Sequence, residues 1–401
     1  MGFKSIIGKA RLTLSLVTAA LALVVSVAAI IPLVSCNRDE GVSSAVQPLP
    51  DFAWDLNEEL ELETEPVSSA SADGDSATVF FTKNITSEGI MAIYDAIGVR
   101  PAAGDNVAVK VHTGESVSKN SITTLHILKE ELIGELVKSL DGTLVECNVA
   151  YDGLQGMGTR RGKADTHYQL AIDHGFDFAP FVVLDESSDI TIPVTGPGVK
   201  YLGNRGNRVG ARIAEFDYHL VLSHFKGHGM GGFGGAIKNT SIGYASRSGK
   251  FRIHSTGSSD NNFGSPANGA FTEAMAEAAK SVVDYANRNG GQKIVFINVM
   301  NNMSIACDCI LNPAPPAAGV SDIGILGSLD PVALDQACID KFNGLPNGSG
   351  KTAFINQVNR NDIQGMNAIA HGQTIGLGNR TYRLVDLDVT SSIKEPERIV
   401  R

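Results

Sequence analysis

The chain has 401 residues, 43% of them hydrophobic and 19% charged, and 43 are glycine. That composition excludes a disordered chain, a collagen and a polytopic membrane protein. The 33 basic residues face 43 acidic ones, a net charge of −10, and without clustered Lys and Arg the chain lacks the footprint of a nucleic-acid binder.

At the amino terminus, Lys4, Lys9 and Arg11 accompany an almost uninterrupted apolar run from Leu12 to Leu33, which ends in Leu33-Val34-Ser35-Cys36. A basic start, an apolar middle and small residues before a break predict a secretory signal over residues 1–35. The Leu-Val-Ser-Cys ending resembles the lipobox of bacterial lipoproteins. The resemblance implies that Cys36 is lipidated, becomes the first mature residue and attaches the protein to a membrane. An uncleaved apolar anchor is the other reading. Both place a soluble domain in the bacterial cell envelope, outside the cytoplasm.

Removal of residues 1–35 leaves 30 basic against 43 acidic residues. Eleven carboxylates lie between Asn37 and Ala77, with Arg38 as the single cation there. With Pro48, Pro50, Pro66 and a serine-rich run, residues 36–77 are predicted to be a flexible acidic linker that cannot bury enough apolar area to fold.

Residues 78–401 alternate short apolar runs with helical periodicity. Strands are predicted at Thr78–Thr82, Asn106–His112, Thr143–Ala150, Phe181–Asp185 and Tyr218–Phe225. Further strands follow at Lys293–Val299, Ile323–Gly327 and Tyr382–Leu387. Helices are predicted at Ser87–Ile97, Thr123–Leu140, Ala164–His174, Phe271–Asn287 and Asp330–Phe342, the last with Asp330 as N-cap and Pro331 as first helical residue. The fold class is therefore α/β, a largely parallel sheet flanked by helices, with a subdivision near residue 250 as an option. Functional groups in such sheets gather beyond the carboxyl ends of the strands.

Three clusters follow predicted strands. From Ser223 to Asn239, six glycines (Gly227, Gly229, Gly231, Gly232, Gly234, Gly235) stand among His224, His228, Lys226 and Lys238. Glycine lets backbone approach a ligand closely, and a helix starting near Gly234 would offer free amides to an anion. The same glycines also suit a tight loop packed against other backbone. His112 and Glu115 form a second cluster, a candidate base and its orienter. The third is Cys307-Asp308-Cys309, two soft ligands that need further donors such as His224 and His228 to hold zinc, iron or nickel. Inert or oxidised thiols are the alternative there, and the pairing of Cys147, Cys307, Cys309 and Cys338 stays open.

Several of these stretches together resemble the bacterial and archaeal family catalogued as domain of unknown function 362. They are Lys110-Val111-His112-Thr113-Gly114-Glu115, Leu222–His228, Phe233–Asn239, Ala245–Lys250, Cys307-Asp308-Cys309, Asp322–Gly324, Asp330–Ala333 and Gly376–Gly378. Many members carry an inserted ferredoxin-like module. This chain has no Cys-x2-Cys-x2-Cys-x3-Cys-Pro run after Lys250, so a four-iron–four-sulfur cluster is not implied. A more distant similarity is to nickel-pincer lactate racemases, through His224-Phe225, Gly234-Gly235 and Lys238, though the intervals differ. It implies an organic or metal cofactor near Lys238.

The expectation is one site for a metal ion or an anionic cofactor, in an enzyme or redox protein. Its metal ligands would be His224, His228, Cys307 and Cys309. Lys226, Gly231, Gly232, Gly234, Gly235, Lys238 and Asn239 would hold the anion, with His112, Glu115 and Lys238 as catalytic groups. The alternative is a non-catalytic envelope protein that binds a small anion or a protein partner.

Overall fold

A computed structural model describes residues 77–114, 128–152, 159–305 and 319–390. The signal segment, Cys36 and all of the acidic linker before Ala77 lie outside the described residues, as do Glu115, Cys307 and Cys309. In chain order the first elements are β1 (Ala77–Thr82), α1 (Ser87–Ile97), β2 (Val107–Lys110), α2 (Glu130–Ser139), β3 (Thr143–Glu146), α3 (Ala164–Asp173), β4 (Phe181–Val183), β5 (Asp189–Ile192) and β6 (Asn207–Gly210). The middle of the chain supplies β7 (Tyr218–His224), β8 (Lys226–His228), β9 (Gly232–Gly234), α4 (Ala236–Tyr244), α5 (Arg247–His254) and α6 (Ala270–Ala286). Then come β10 (Ile294–Met300), β11 (Gly324–Ser328), α7 (Pro331–Asn343), α8 (Ser349–Asn359), α9 (Asn367–Thr374), β12 (Tyr382–Asp386) and the single turn α10 (Leu387–Thr390).

Eight strands form one sheet in the order β12-β1-β11-β10-β7-β2-β3-β4. β10, β7, β2, β3 and β4 run parallel, β1 pairs parallel with β12, and β11 runs against both of its neighbours. The expected α/β class with a largely parallel sheet is what the chain adopts. Two hairpins, β5-β6 and β8-β9, stand outside this sheet.

Strand periodicity explains the layers. In β10, Ile294, Phe296 and Met300 join the apolar layer made with α4, α6, α7, α8 and α9, whereas Val295, Ile297 and Val299 join the layer made with α1 and α2. Each layer buries side chains completely, among them Phe296, Phe342 and Phe354 on one side and Ile90, Ile93 and Leu136 on the other. Helix ends match their expected chemistry. Asp330 accepts from the amides of Val332 (2.8 Å) and Ala333 (2.9 Å), and Pro331 opens α7. Thr86 caps α1 through the Gly89 amide, and Gly98 closes that helix in the left-handed conformation.

The differences from expectation have local causes. Strand pairing stops at Lys110 and Glu146 rather than His112 and Ala150, because the chain beyond turns to bond buried polar groups. Helices α5, α8 and α9 were not anticipated; their segments are polar or carry glycine, and their apolar faces are short. Residue 250 falls in the middle of α5. Among the described residues no helix is long and apolar enough to cross a membrane.

Glu277 on α6 is completely buried and fastens the loop before β6 to the helical layer. It accepts from the amides of Lys200 (2.6 Å), Tyr201 (3.0 Å) and Leu202 (2.7 Å) and from Nε2 of His371 (3.1 Å). Burial alone would raise its pKa, but His371 and the three amides hold it below the usual carboxylate range. Replacing it by Gln leaves donors unmatched, and the expected loss is about 2–4 kcal/mol in urea denaturation at pH 7. Because the folded pKa is depressed, this contribution is present above about pH 4.3, the ordinary Glu value. It fades as pH falls through the folded value, so wild type and Glu277→Gln converge in acid.

Candidate functional site

The sheet order places a switch point between β2 and β7. From β2 the chain proceeds to β3 on one side, while the next sheet strand after β7 is β10 on the other. In open α/β sheets ligands bind outside the carboxyl ends of the strands at such a point. Those ends carry Lys110-Val111-His112-Thr113, Glu146-Cys147-Asn148 and Ser223-His224-Phe225-Lys226.

Glu146 anchors this edge and is buried. Arg161 donates to its Oε2, and the Thr113 amide and hydroxyl both donate to Oε1, the hydroxyl at 3.0 Å. Burial opposes ionisation, yet Arg161 and then Lys110 hold the Glu146 carboxyl far below the usual range. His167, fully buried, lies 3.8 Å from Oε2 and 3.4 Å from Asn148 Oδ1. Burial lowers its pKa to about 3, against the pull of Glu146, so it is neutral at pH 7.

Around Glu146 stand five cations: Lys110, Arg161, Lys226, Lys238 and Lys250. Lys110, Lys226 and Lys250 are buried, and Lys238 is half-buried. Two are braced by backbone, Lys110 by the Val111 carbonyl and Lys250 by the Ala245 carbonyl. Among the described residues, the carboxylates that act on these lysines are Glu146 and Asp185. Desolvation, followed by mutual repulsion, lowers the lysine pKa values. Lys110 is brought to about 8 even with Glu146 opposing the shift. Lys238 falls to about 7 through burial and the charges of Arg161, Lys110 and Lys250. Lys226 is pushed well below its usual value by burial and Lys238. Among the described residues, the Lys238 ammonium has no hydrogen-bond or ion-pair partner.

The glycine-rich stretch forms the β8-β9 hairpin, with Lys226 opposite Gly234 and His228 opposite Gly232. His228 closes its own turn, since Nδ1 accepts from the amides of Met230 (3.2 Å) and Gly231 (2.9 Å). Much of the glycine serves close packing. A Cβ at Gly227 would collide with the Ile305 carbonyl, and one at Gly235 with the Asp335 carboxylate. Gly232 has φ of +77° and lies against the backbone of Gly365. Gly234 is different: a Cβ there would meet the aliphatic stems of Lys238 (3.8 Å) and Lys226 (4.0 Å), so both side chains pass over it.

The start of α4 does not stand open. Buried Asp335, reaching across from α7, accepts from the amides of Ala236 (2.8 Å) and Ile237 (3.0 Å) and from Asn298 Nδ2 (2.8 Å). Burial raises its pKa to about 6 despite these three donors. The anion that a helix start favours is thus supplied by the chain itself at those two amides. Asn239 acts as a tie, its Nδ2 donating to the Leu222 carbonyl (2.9 Å) and Ser223 Oγ (3.2 Å).

Of the other expected site residues, His112 lies at the β2 edge, where its Nδ1 accepts from the Gly114 amide at 2.9 Å. His224 donates Nε2–H to the Asn301 carbonyl at 2.7 Å. Ile305, two residues before Cys307, packs its backbone on Gly227, and the Gly227 amide donates to the Ser304 carbonyl (2.7 Å). Ile305 is the last described residue before the Cys-Asp-Cys stretch. Among the described residues, no group of three or more His, Cys, Asp or Glu side chains is arranged to hold a metal ion. His224 Nε2 and His228 Nδ1 are engaged by backbone, and Cys307 and Cys309, the other expected ligands, lie outside the described residues.

Sequence reading passed over Glu146, Arg161, His167 and His254, and quoted Lys110 and Lys250 only as parts of motifs. His254 stacks on Phe271 (centroids 4.0 Å apart), and its buried Nδ1 has no partner. Burial, then Lys238 and Lys250, lower its pKa to about 3.

Replacing Glu146 by Gln keeps the shape and removes the main counter-charge of this edge. The expected cost is about 3–5 kcal/mol. Thermal unfolding should show added phosphate recovering more of the melting temperature in Glu146→Gln than in wild type.

No curated protein matches the chain. Two solved structures are similar at 14% identity. One is the lactate racemase apoprotein from Thermoanaerobacterium thermosaccharolyticum, with a TM-score of 0.35 over 66% of this chain and 56% of that one. The other is a protein from Thermotoga maritima, with a TM-score of 0.34 over 64% and 57%. The chain thus spans little more than half the length of either. The family described as domain of unknown function (DUF362) matches residues 107–340, which is more than half of the chain and contains every side chain of the cation-rich edge, and the chain belongs to that family.

Proposed function

We propose that this DUF362 protein binds a small, multiply charged anion, or a cofactor with such a group, in the crevice between the ends of β2 and β7, and acts there as an enzyme or redox protein. One observation carries the reading: Arg161 and four lysines converge on an edge where Glu146 and Asp185 are the described carboxylates that act on the lysines. Charges brought together out of water cost several kcal/mol each unless neutralised, so an incoming anion gains what the unliganded edge lacks. Low dielectric around the site strengthens each new ion pair. Lys238 and Lys226 pass over Gly234, where no side chain stands between them and a ligand. Glu146 and Asn239 act as positioning groups, the first holding Arg161 and the second holding α4 to β7.

Isothermal titration of the full chain in detergent tests this reading. Acetate, oxalate and pyrophosphate should bind in rising order of affinity, and added salt should weaken all three. Raising pH from 6 to 9 removes protons from Lys238 (about 7) and Lys110 (about 8), so affinity should fall across that range. Equal or absent binding of the three anions would overturn the proposal. A non-catalytic anion binder, the second reading, gives the same titration but no reaction at Lys238. Metal analysis of anaerobic protein, with and without Cys307→Ser and Cys309→Ser, decides whether the Cys-Asp-Cys stretch brings a metal beside this site.

We further propose that Cys36 carries a lipid which tethers the domain to a membrane of the bacterial envelope, on the strength of Leu33-Val34-Ser35-Cys36 after its apolar run. Cys36→Ser should abolish incorporation of labelled fatty acid. Unchanged labelling in that variant would count against the lipid site.

A further inference from the structure

The cations of the crevice differ in how they are held. Lys110 and Lys250 each donate to a backbone carbonyl, and Arg161 donates to Glu146. Such bracing fixes a charge in place and suits a group that only has to hold an anion. Lys238 is not braced among the described residues, although it projects from the first turn of α4 among the other four cations. A lysine with cations around it and no acceptor for its protons is placed to react as the free amine. The Lys238 charge acts on two further groups. His254 presents a buried Nδ1 without a partner, and the largest charge acting on it is Lys238. His228 spends Nδ1 on its own turn and is kept neutral by burial and by Lys238.

We propose that Lys238 forms an imine with the carbonyl carbon of a carboxylate- or phosphate-bearing ketone or aldehyde. This rests on the anion-site reading above, since the braced cations would hold the charged end of that compound while Lys238 meets its carbonyl. The Nζ lone pair adds to the carbonyl carbon, and the C=O π pair moves to oxygen. The resulting carbinolamine loses that oxygen as water together with both Nζ hydrogens, and the C=N bond forms. Amine and carbonyl give imine and water, with no oxidant or reductant consumed. Oxalate, which has the charges but no ketone or aldehyde carbonyl, binds without reacting.

The test uses the full chain in detergent with pyruvate, 2-oxoglutarate or, as an uncharged control, acetone, followed by sodium borohydride and peptide mass mapping. The expected result is a reduced adduct on Lys238 with the two oxoacids, at least about tenfold above any other lysine, absent with acetone and suppressed by oxalate. Lys238→Arg keeps the charge and should lose the adduct while still binding oxalate. Circular dichroism of Lys238→Arg reports whether it folds. Oxalate binding with adducts scattered over surface lysines, or with none at Lys238, overturns the imine and leaves the anion site standing. Failure of oxalate itself to bind overturns both.

Discussion

Positive charge held out of water at one edge of a sheet is the constraint on which this molecule turns. An isolated buried ammonium costs several kcal/mol, a sizeable part of the net stability of a folded domain. The fold limits that cost in two ways. Lys110 and Lys250 reach backbone carbonyls, and Glu146 gathers Arg161 and Thr113 while acting on the lysines from a neighbouring strand. Lys238, which has no such partner among the described residues, stands on the helix that follows β7, on one side of the switch point of the strand order. Destabilising features that persist at such a point are the usual mark of a functional site.

Holding Lys238 there needs a second arrangement. A lysine in the first turn of a helix lies at the positive end of the helix dipole, an unfavourable place for a cation. Asp335 offsets this by capping the Ala236 and Ile237 amides from α7, while Asn298 of β10 bonds the same carboxylate. Asn239 fastens the helix to the end of β7. Three elements thus converge on the start of α4. The lysine's position follows from that frame, which owes nothing to a partner for its own ammonium.

The fold was legible where apolar runs were continuous. Strands at Tyr218–His224 and Ile294–Met300, the helix at Ser87–Ile97 and the Asp330-Pro331 helix start stand within a residue of expectation. The site was legible only in part. Lys226 and Lys238 announce themselves beside glycines, but Lys110 and Glu146 sit at the ends of apolar strands where a charge looks like a solvated strand end. Asn298 interrupts a strand that otherwise reads as pure core. Arg161, His254 and Asp335 belong to helices or loops distant in sequence, and only strand order brings them to one edge. The role of Asp335 carries no sequence signal, because the two amides it accepts from lie nearly one hundred positions away.

The glycine density points to a related distinction. Glycine-rich turns invite the reading of an anion cradle made of amides, yet Gly227, Gly232 and Gly235 make room for Ile305, Gly365 and Asp335. Gly234 differs from these three, since a Cβ there would touch the Lys238 and Lys226 stems only at ordinary contact distance. An anion at this edge would therefore meet side-chain charge more than backbone dipoles. Side-chain charge attracts any anion of sufficient valence, so it discriminates little between ligands of equal charge. Discrimination must come from a contact that demands a particular geometry of the bound group. The unbraced amine on the first turn of α4 is the member of the cluster free to make one, because the carbonyl-held cations cannot turn toward a ligand without giving up the bonds that keep them in place.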